Sequence, residues 1–405
     1  MGLLVSNKRF RLFWIGSLFD DMSLPISMMA IAWLLLSLTD SALWVGIGAA
    51  MHGLGMTAFS LLAGALIDRH NRLRILLLAQ CIQMMVTLIV GTMVLMENEY
   101  LTVILFLALM NGLVHAVKIS GKMALTLDIV GQESLLKGIA ANFFSMTTMS
   151  VVGPLLAGWI IEPYGIEYSF FLTSLAVLLA ILVLINLRGI ETPKPTESSH
   201  KEDIVEGAKY VLRTPLIRLV IVTIMVSELF GWAVESMLPV IARDELGLGA
   251  TGLGYLIAGG AGGAALSSVI ISLAPEVKRK YLMVVLGLGS FGVALIAFAL
   301  SNNFYVSLTI IALAYGGATM YESSLATILQ SSVPDGIRGR VLSFQSFSWG
   351  LSGIAGIHSG AIATVLGAPI AVGFGGFIII THAVGITRKL KMLLSLIHIS
   401  EPTRP

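Results

Sequence analysis

The chain has 405 residues, of which 56% are hydrophobic and only 12% are charged. Soluble domains carry about 25% charged residues, so this composition excludes an ordinary soluble enzyme and favours a chain that lies in a lipid bilayer. The formal net charge of +2 gives no reason to expect a nucleic-acid partner, and the single cysteine, Cys81, excludes a disulfide framework.

Long apolar runs follow one another along the chain. A helix that spans a bilayer needs about 20 apolar residues at a rise of 1.5 Å each. These runs are too long for strands, and apolar and polar residues do not alternate in them. We predict twelve transmembrane helices, at 11–38, 42–66, 75–95, 100–118, 138–161, 168–187, 217–241, 251–274, 281–300, 304–328, 341–365 and 368–387.

The basic residues alternate with these predicted spans. Of the 25 lysines and arginines, 24 fall in segments on the side of the N-terminus, and only Arg243 falls on the other side. Because basic loops stay in the cytoplasm, we expect a multi-pass membrane protein with both termini in the cytoplasm.

The second half of the sequence resembles the first at a shift of about 208 residues. The shift aligns Asp20 with Glu228, Gly46 with Gly254 and Asp68 with Glu276. This repeat predicts an all-α membrane protein with two related six-helix bundles. We expect bundles at 1–188 and 217–392, a cytoplasmic linker with a short amphipathic helix at 189–216, and a tail at 393–405 that resembles translated sequencing-adapter read-through.

The segment between the second and third spans carries a recognisable motif, Gly64-Ala-Leu-Ile-Asp68-Arg69-His-Asn-Arg72. It resembles the loop signature of the major facilitator superfamily, G-x-L-x-D-R-x-x-R. We expect Gly64 to allow close helix approach, and Asp68 to pair with Arg69, Arg72 or a partner in the other half. Such a charge cluster could be made in one conformation and broken in another. The alternative is that the basic residues only keep this loop on the cytoplasmic side of the membrane.

A second motif lies in the fifth span, where Gly153, Pro154 and Gly158 resemble the core of the motif of the antiporter branch. The alternative is a proline-kinked helix with small residues for packing. The segment 329–342 resembles bacterial efflux permeases of the macrolide-exporter and enterobactin-exporter kind. The resemblance implies alternating access and export of a drug, a macrolide-like compound or a siderophore.

Five carboxylates are predicted at membrane depth: Asp20, Asp21, Glu228, Glu235 and Glu322. Each costs about 2.5–3.5 kcal/mol or more there, so we interpret them as functional. Removal from water favours the protonated form of a carboxylate, so these residues could exchange protons for substrate. We expect Asp20 or Asp21, with Glu228, to form the proton-coupling site. The alternative is static pairing with Lys118 or a histidine.

Regular helix spacing places Glu235 two turns from Glu228, on the same face. Tyr321, beside Glu322, could bind substrate or merely pack. We expect a monomer whose partners are a small-molecule substrate, protons and the bilayer. No phosphate-binding loop or metal-ligand motif occurs, so no cofactor, metal or ATP dependence is expected. Uptake or facilitated diffusion, and a scaffold or sensor that does not transport, remain alternatives.

Overall fold

The computed structural model describes residues 2–187, 200–273 and 280–400, and these ranges contain helices and no β-strand. The α-helices are α1 (Gly2–Ser6), α2 (Lys8–Thr39), α3 (Ala42–Arg69), α4 (Arg72–Leu95), α5 (Leu101–Tyr164), α6 (Ile166–Leu184), α7 (His200–Arg213), α8 (Pro215–Val226), α9 (Val234–Val240), α10 (Ala250–Leu273), α11 (Lys280–Ala299), α12 (Phe304–Ser332), α13 (Asp335–Leu366) and α14 (Ala368–Ser400). Two π-helical turns, Ser227–Gly231 and Ile241–Glu245, flank α9.

Several of these helices begin at an asparagine cap. The side chains of Asn7, Asn71 and Asn303 accept hydrogen bonds from the first backbone N–H groups of α2, α4 and α12, at distances between 3.0 and 3.2 Å. A cap of this kind satisfies an N–H group that has no partner inside the helix. Local polar residues therefore begin helices whose interiors are almost entirely apolar.

Ten helical segments within the described ranges are long and apolar enough to cross a membrane. One of them, α5, has 64 residues and kinks at Gly131, where φ is 70° and ψ is 173°. It therefore covers two predicted spans, 100–118 and 138–161. A shorter apolar segment, Gly350–Leu366, matches the predicted span at 341–365.

The helix of the fourth predicted span does not end at residue 118. The helix continues without a break to Gly131, so Lys118 and Lys122 lie inside α5 and not in a cytoplasmic loop. Gly131 lies thirteen residues beyond Lys118, which is about 20 Å along the helix axis. Two residues that were counted as loop cations are therefore helix residues.

The contacts divide the chain into two compact units. Unit 1 contains Met1–Glu197 with Leu238–Ala258, and unit 2 contains Ser198–Met237 with Gly259–Pro405. In unit 1, α5 packs on α2, α3 and α4, and α6 packs on α2 and α4. One of its buried clusters consists of Phe10, Phe13, Leu76, Leu125, Leu184 and Leu187. In unit 2, α11 packs on α12 and α14, and Phe291, Leu295 and Phe298 of α11 are buried.

Large apolar side chains are exposed on single faces of several helices, such as Leu78 and Met85 on α4 and Leu175 and Leu182 on α6. In water such surfaces would be aggregation-prone. In a bilayer they contact acyl chains, which agrees with the membrane assignment. Residues 189–199 of the expected linker, Glu276 and residues 401–405 of the expected tail lie outside the described ranges.

Candidate functional site

Two buried ion pairs join α2 to α5 inside unit 1. The Lys118 Nζ atom lies 2.7 Å from Asp20 Oδ1, and the Lys122 Nζ atom lies 2.5 Å from Asp21 Oδ1. The four side chains are only 6–15% exposed. Lys118 and Lys122 are four residues apart and share a helix face, whereas adjacent residues such as Asp20 and Asp21 point in different directions. Each lysine therefore reaches its own carboxylate.

Polar side chains of α4 and α5 complete this network. Gln80 donates to Asp20 Oδ1 at 3.1 Å, and Lys118 donates to Gln83 Oε1 at 2.5 Å. Ser145 donates to Asp21 Oδ2 at 2.5 Å. The network balances two negative charges with two positive charges. Sequence reasoning missed Lys122, Gln80 and Gln83, because α4 reads as an apolar run and Lys122 was placed in a loop.

The sequence left open a static pairing of the carboxylates with Lys118 or with a histidine. In the structure, Asp20 pairs with Lys118. Pairing of the carboxylates with histidine is not found in the described chain. His52 and His115 instead lie beside each other, with ring centroids 5.8 Å apart.

Unit 2 holds the other three carboxylates, and Glu228 lies in a π-helical turn. The backbone N–H of Trp232 donates to the carbonyl of Ser227 at 3.0 Å, five residues earlier, which widens the helix. Glu228 is 5% exposed, whereas Glu235 is exposed. The regular helix that the sequence predicted between the two residues is interrupted, because a π-helical turn and the turn at Trp232 lie between them.

Aromatic side chains surround Glu235 and Glu322. The indole N–H of Trp232 donates to Glu322 Oε1 at 2.8 Å and to the Tyr321 hydroxyl at 3.1 Å. The Tyr315 hydroxyl donates to Glu235 Oε1 at 3.4 Å. Tyr321 is only 1% exposed, so in this structure it packs inside unit 2. Trp232 and Tyr315 were missed because an aromatic residue in an apolar run gives no distinctive signal.

The two units differ in how they treat their carboxylates. Among the described residues, Glu228, Glu235 and Glu322 form no ion pair with a basic side chain, and Glu228 accepts no hydrogen bond. In the part of unit 2 that the structure describes, these three carboxyl groups therefore have no basic partner, in contrast to Asp20 and Asp21 of unit 1.

One arginine of the loop motif has a partner that the sequence did not predict. Arg72 pairs with Asp128 of α5 at 2.6 Å. The backbone of Asp68 lies in α3, but its side chain lies outside the part of the chain that is described, and Arg69 is exposed. Among the described residues, a Cβ at Gly64 would meet no atom within 4 Å, so the close helix approach expected there is absent.

The glycines of the fifth-span motif allow close packing within unit 1. A Cβ at Gly153 would lie 2.6 Å from Pro25 Cγ, and one at Gly158 would lie 2.7 Å from the carbonyl oxygen of Ala250. A Cβ on Gly254 would lie 2.5 Å from the carbonyl oxygen of Pro154. Close approach is thus the observed role of these small residues.

Polar contacts hold Leu238–Ala258 in unit 1 beside these glycines. Arg243 pairs with Asp40 at 2.5 Å, and Glu162 accepts the backbone N–H of Thr251 at 2.7 Å. This segment belongs to the second half of the sequence repeat, yet it packs in unit 1. Arg243, the exception to the charge pattern, therefore has a structural partner.

Comparison with known proteins agrees with this architecture. Residues 4–400 match the family described as "Transmembrane secretion effector". The enterobactin exporter EntS of Escherichia coli is 25% identical over 387 residues, which cover 94% of this chain and 92% of the relative.

Solved transporters share the fold at low identity. A POT family transporter in complex with 5-aminolevulinic acid superimposes with a TM-score of 0.78 at 9% identity, covering 96% of this chain and 97% of the other. The nucleoside transporter NupG gives 0.74 at 10% identity, with coverage of 95% and 99%. A bacterial homologue of the human lysosomal transporter Spinster gives 0.72 at 14% identity, with coverage of 98% for each.

The family match, together with the all-α fold and its apolar exterior, defines a multi-pass membrane transporter of the major facilitator type, not an enzyme. More specifically, the chain belongs to the transmembrane secretion effector family. The predicted fold class and the resemblance to this superfamily are confirmed.

Proposed function

We propose that this transporter exports small amphipathic molecules across the bacterial cytoplasmic membrane by alternating access, in exchange for protons. Drugs, macrolide-like compounds and siderophores are the candidate substrates. Export is supported by the relationship to a protein named as an enterobactin exporter and by the family description. The positions of the basic residues support cytoplasmic termini, and the proposed active form is a monomer.

The observation that carries proton coupling is the absence of a cation beside Glu228, Glu235 and Glu322 among the described residues. Buried carboxylates without a cation are stabilised by taking up protons. Asp20 and Asp21 instead have lysine partners. We therefore assign proton exchange to the unit 2 carboxylates, and chiefly to Glu228. Asp20 and Asp21 take part in the same transport cycle, with their charges balanced by the paired lysines.

The driving force is sufficient for export. One proton that crosses 100 mV supplies about 2.3 kcal/mol. Since 1.4 kcal/mol corresponds to a tenfold concentration ratio, one proton sustains roughly a fifty-fold gradient of a neutral substrate.

Accumulation in an efflux-deficient bacterial host tests this proposal. Cells that express the wild-type protein should accumulate less of a macrolide or of enterobactin than control cells, and an uncoupler should abolish the difference. Glu228→Gln should also abolish it at equal membrane abundance, because the variant cannot exchange a proton. Glu133→Gln, which changes an exposed carboxylate near the α5 kink, is the control and should behave as wild type.

Higher accumulation in expressing cells than in control cells would contradict export. Efflux by Glu228→Gln that still collapses with the uncoupler would contradict the assignment of proton exchange to Glu228.

A further inference from the structure

The last helix of unit 2, α14, has an exposed stripe that is apolar along most of its length and basic at its end. Phe377, Thr381 and Val384 are exposed at helical spacing, and Arg388 and Lys391 continue the same face. Phe377 is 61% exposed and Val384 is 72% exposed. In a bilayer such a surface contacts acyl chains. The basic residues therefore lie where the stripe leaves the hydrocarbon.

The length of the stripe places Arg388 at the level of the lipid headgroups. The stripe begins at Ile370, which is also exposed, and Arg388 follows 18 residues later, about 27 Å along the helix axis. The hydrocarbon core of a bilayer is about 30 Å thick. A helix whose apolar face begins near one surface of the bilayer therefore reaches the other surface at about Arg388.

The first span of unit 2 runs antiparallel to α14. Thr223 Oγ1 of α8 lies 3.0 Å from His382 Nε2 of α14. Seven residues after Thr223, the carbonyl oxygen of Phe230 lies where a Cβ on Gly375 would collide with it. Gly375 is seven residues before His382, so the position on α14 moves back as the chain advances along α8 and the turn that follows it. This register relates the ends of the two helices.

The register places Arg218 of α8 beside the basic end of α14. Arg218 is five residues before Thr223, and Arg388 is six residues after His382. Because the helices are antiparallel, both arginines lie on the same side of the Thr223–His382 contact, at about 7.5 Å and 9 Å from it along the axes. Two exposed arginines of different helices therefore lie at nearly the same depth.

A second pair of basic residues lies slightly further along. The register sets Lys391 level with Thr214, which joins α7 to α8, and Arg213 precedes Thr214. Arg218 Nη1 donates to the backbone carbonyl of Leu212 at 3.2 Å, so the end of α7 is held beside Arg218. We define the four-cation surface as Arg213, Arg218, Arg388 and Lys391.

The four-cation surface has no acidic partner in the described chain. All four side chains are exposed, and none of them pairs with a carboxylate among the described residues. Glu206 of α7 pairs with Arg340 instead, at 2.5 Å. Like charges at one depth repel each other, so an anionic group bound between them stabilises the surface.

We propose that the four-cation surface binds the phosphate headgroup of an anionic phospholipid, whose acyl chain lies along the exposed stripe of α14. Each lysine or arginine near the membrane surface strengthens binding of anionic lipid about fivefold. Arginine also binds phosphate through two parallel hydrogen bonds. A soluble phosphate has no chain to place on the stripe. The surface contains none of the carboxylates assigned to proton exchange, so this inference does not depend on the proposed function.

Two lipids with the same acyl chains isolate the contribution of the headgroup. Native mass spectrometry of the purified full-length protein in detergent compares dioleoyl phosphatidylglycerol, which is anionic, with dioleoyl phosphatidylcholine, which has no net charge. We expect phosphatidylglycerol to bind at least about tenfold more tightly and to raise the unfolding temperature. Equal affinity for the two lipids would overturn the inference.

Side-chain variants then locate the site. Arg218→Gln combined with Arg388→Gln should weaken binding of phosphatidylglycerol about 25-fold and leave binding of phosphatidylcholine unchanged. Arg218→Lys combined with Arg388→Lys keeps both charges and should retain most of the affinity, which excludes general misfolding. Lys137→Gln, which removes an exposed cation of α5, is the control and should bind as wild type. Unchanged affinity in the glutamine variant, or an equal loss in Lys137→Gln, would overturn the assignment.

Soluble phosphates distinguish a lipid site from a site for free phosphate. Glycerol phosphate carries the charge of the headgroup without the acyl chains, so it should bind at least about tenfold more weakly than phosphatidylglycerol. Inorganic phosphate should behave in the same way. Affinity for either compound equal to that for the lipid would overturn the inference, because the stripe of α14 would then contribute nothing to binding.

Discussion

Asp20 and Asp21 are adjacent in α2 but have different polar partners. Asp20 contacts Lys118 and Gln80, and Asp21 contacts Lys122 and Ser145. Removing one member of a buried ion pair leaves an uncompensated charge and costs about 3–5 kcal/mol, whereas replacing both members is often neutral. Replacing one member of the pair should therefore destabilise the protein more than replacing both members.

The Asp20–Lys118 pair gives a prediction for stability. Asp20→Asn and Lys118→Met should each lower the free energy of unfolding by about 3 kcal/mol, and the double variant should recover most of the loss. Thermal unfolding in detergent measures the effect, and denaturant titration converts it to free energy. The exposed pair of Arg243 with Asp40 is the control, where Asp40→Asn should cost less than about 1 kcal/mol. Additive losses in the double variant would contradict the coupling.

The sequence predicted the carboxylates but not their partners. Asp20, Asp21, Glu228, Glu235 and Glu322 stand out because charge is expensive in a bilayer. Lys118 lies where an apolar run ends, so its position is compatible with either a loop or a helix. Only the packing of α5 on α2 places it against Asp20. Trp232 and Tyr315 carry no signal of their own, because an aromatic residue in an apolar run is ordinary.

At the scale of helices, α10 shows how glycine determines packing. A Cβ at Gly254 would meet the backbone of Pro154, whereas a Cβ at Gly262 in the same helix would meet nothing within 4 Å. Both positions are helical, so alanine improves helix propensity equally at each. Any difference between the two substitutions therefore measures the contact with the fifth-span motif.

We expect Gly254→Ala to reduce transport at least about tenfold, because α10 must shift away from Pro154 and overpacking typically costs 1–3 kcal/mol. Gly262→Ala should leave transport and thermal stability unchanged or slightly improved. Accumulation in the efflux-deficient host measures the first quantity, and the unfolding temperature in detergent measures the second. Equal behaviour of the two variants would show that close packing at Gly254 is unimportant.

Helix starts were predicted unevenly: the predicted starts at 42, 304 and 368 coincide with those of α3, α12 and α14, whereas those at 11 and 75 lie three residues inside α2 and α4. Asn7, Asn71 and Asn303 signal helix starts, and the structure uses each as a cap. The kink at Gly131 lies in a polar segment but far from the predicted end of the fourth span. The π-helical turn at Ser227–Gly231 was not predicted, because no glycine–proline signal or polar cap marks it in the sequence; Trp232, which follows it, packs against Phe291 and Tyr315.

At the scale of the whole molecule, the distribution of charge is the main feature. Unit 1 neutralises its buried aspartates with lysines, and unit 2 leaves three carboxyl groups without a basic partner in its described part. The fold and the superfamily were predictable from composition, span spacing and the loop motif, because each depends on the chain as a whole. The different pairing of the carboxylates in the two units was not predictable, since the repeat aligns Asp20 with Glu228 and predicts equivalent roles.

Transport into inside-out membrane vesicles under imposed pH gradients tests the central claim, that protons exchanged at Glu228 drive export. The labelled macrolide or enterobactin should enter wild-type vesicles only when the lumen is more acidic than the medium. Glu228→Gln vesicles should show no response to the gradient, and Glu133→Gln vesicles should respond as wild type. Entry at the same rate without a gradient, or with the gradient reversed, would contradict the claim.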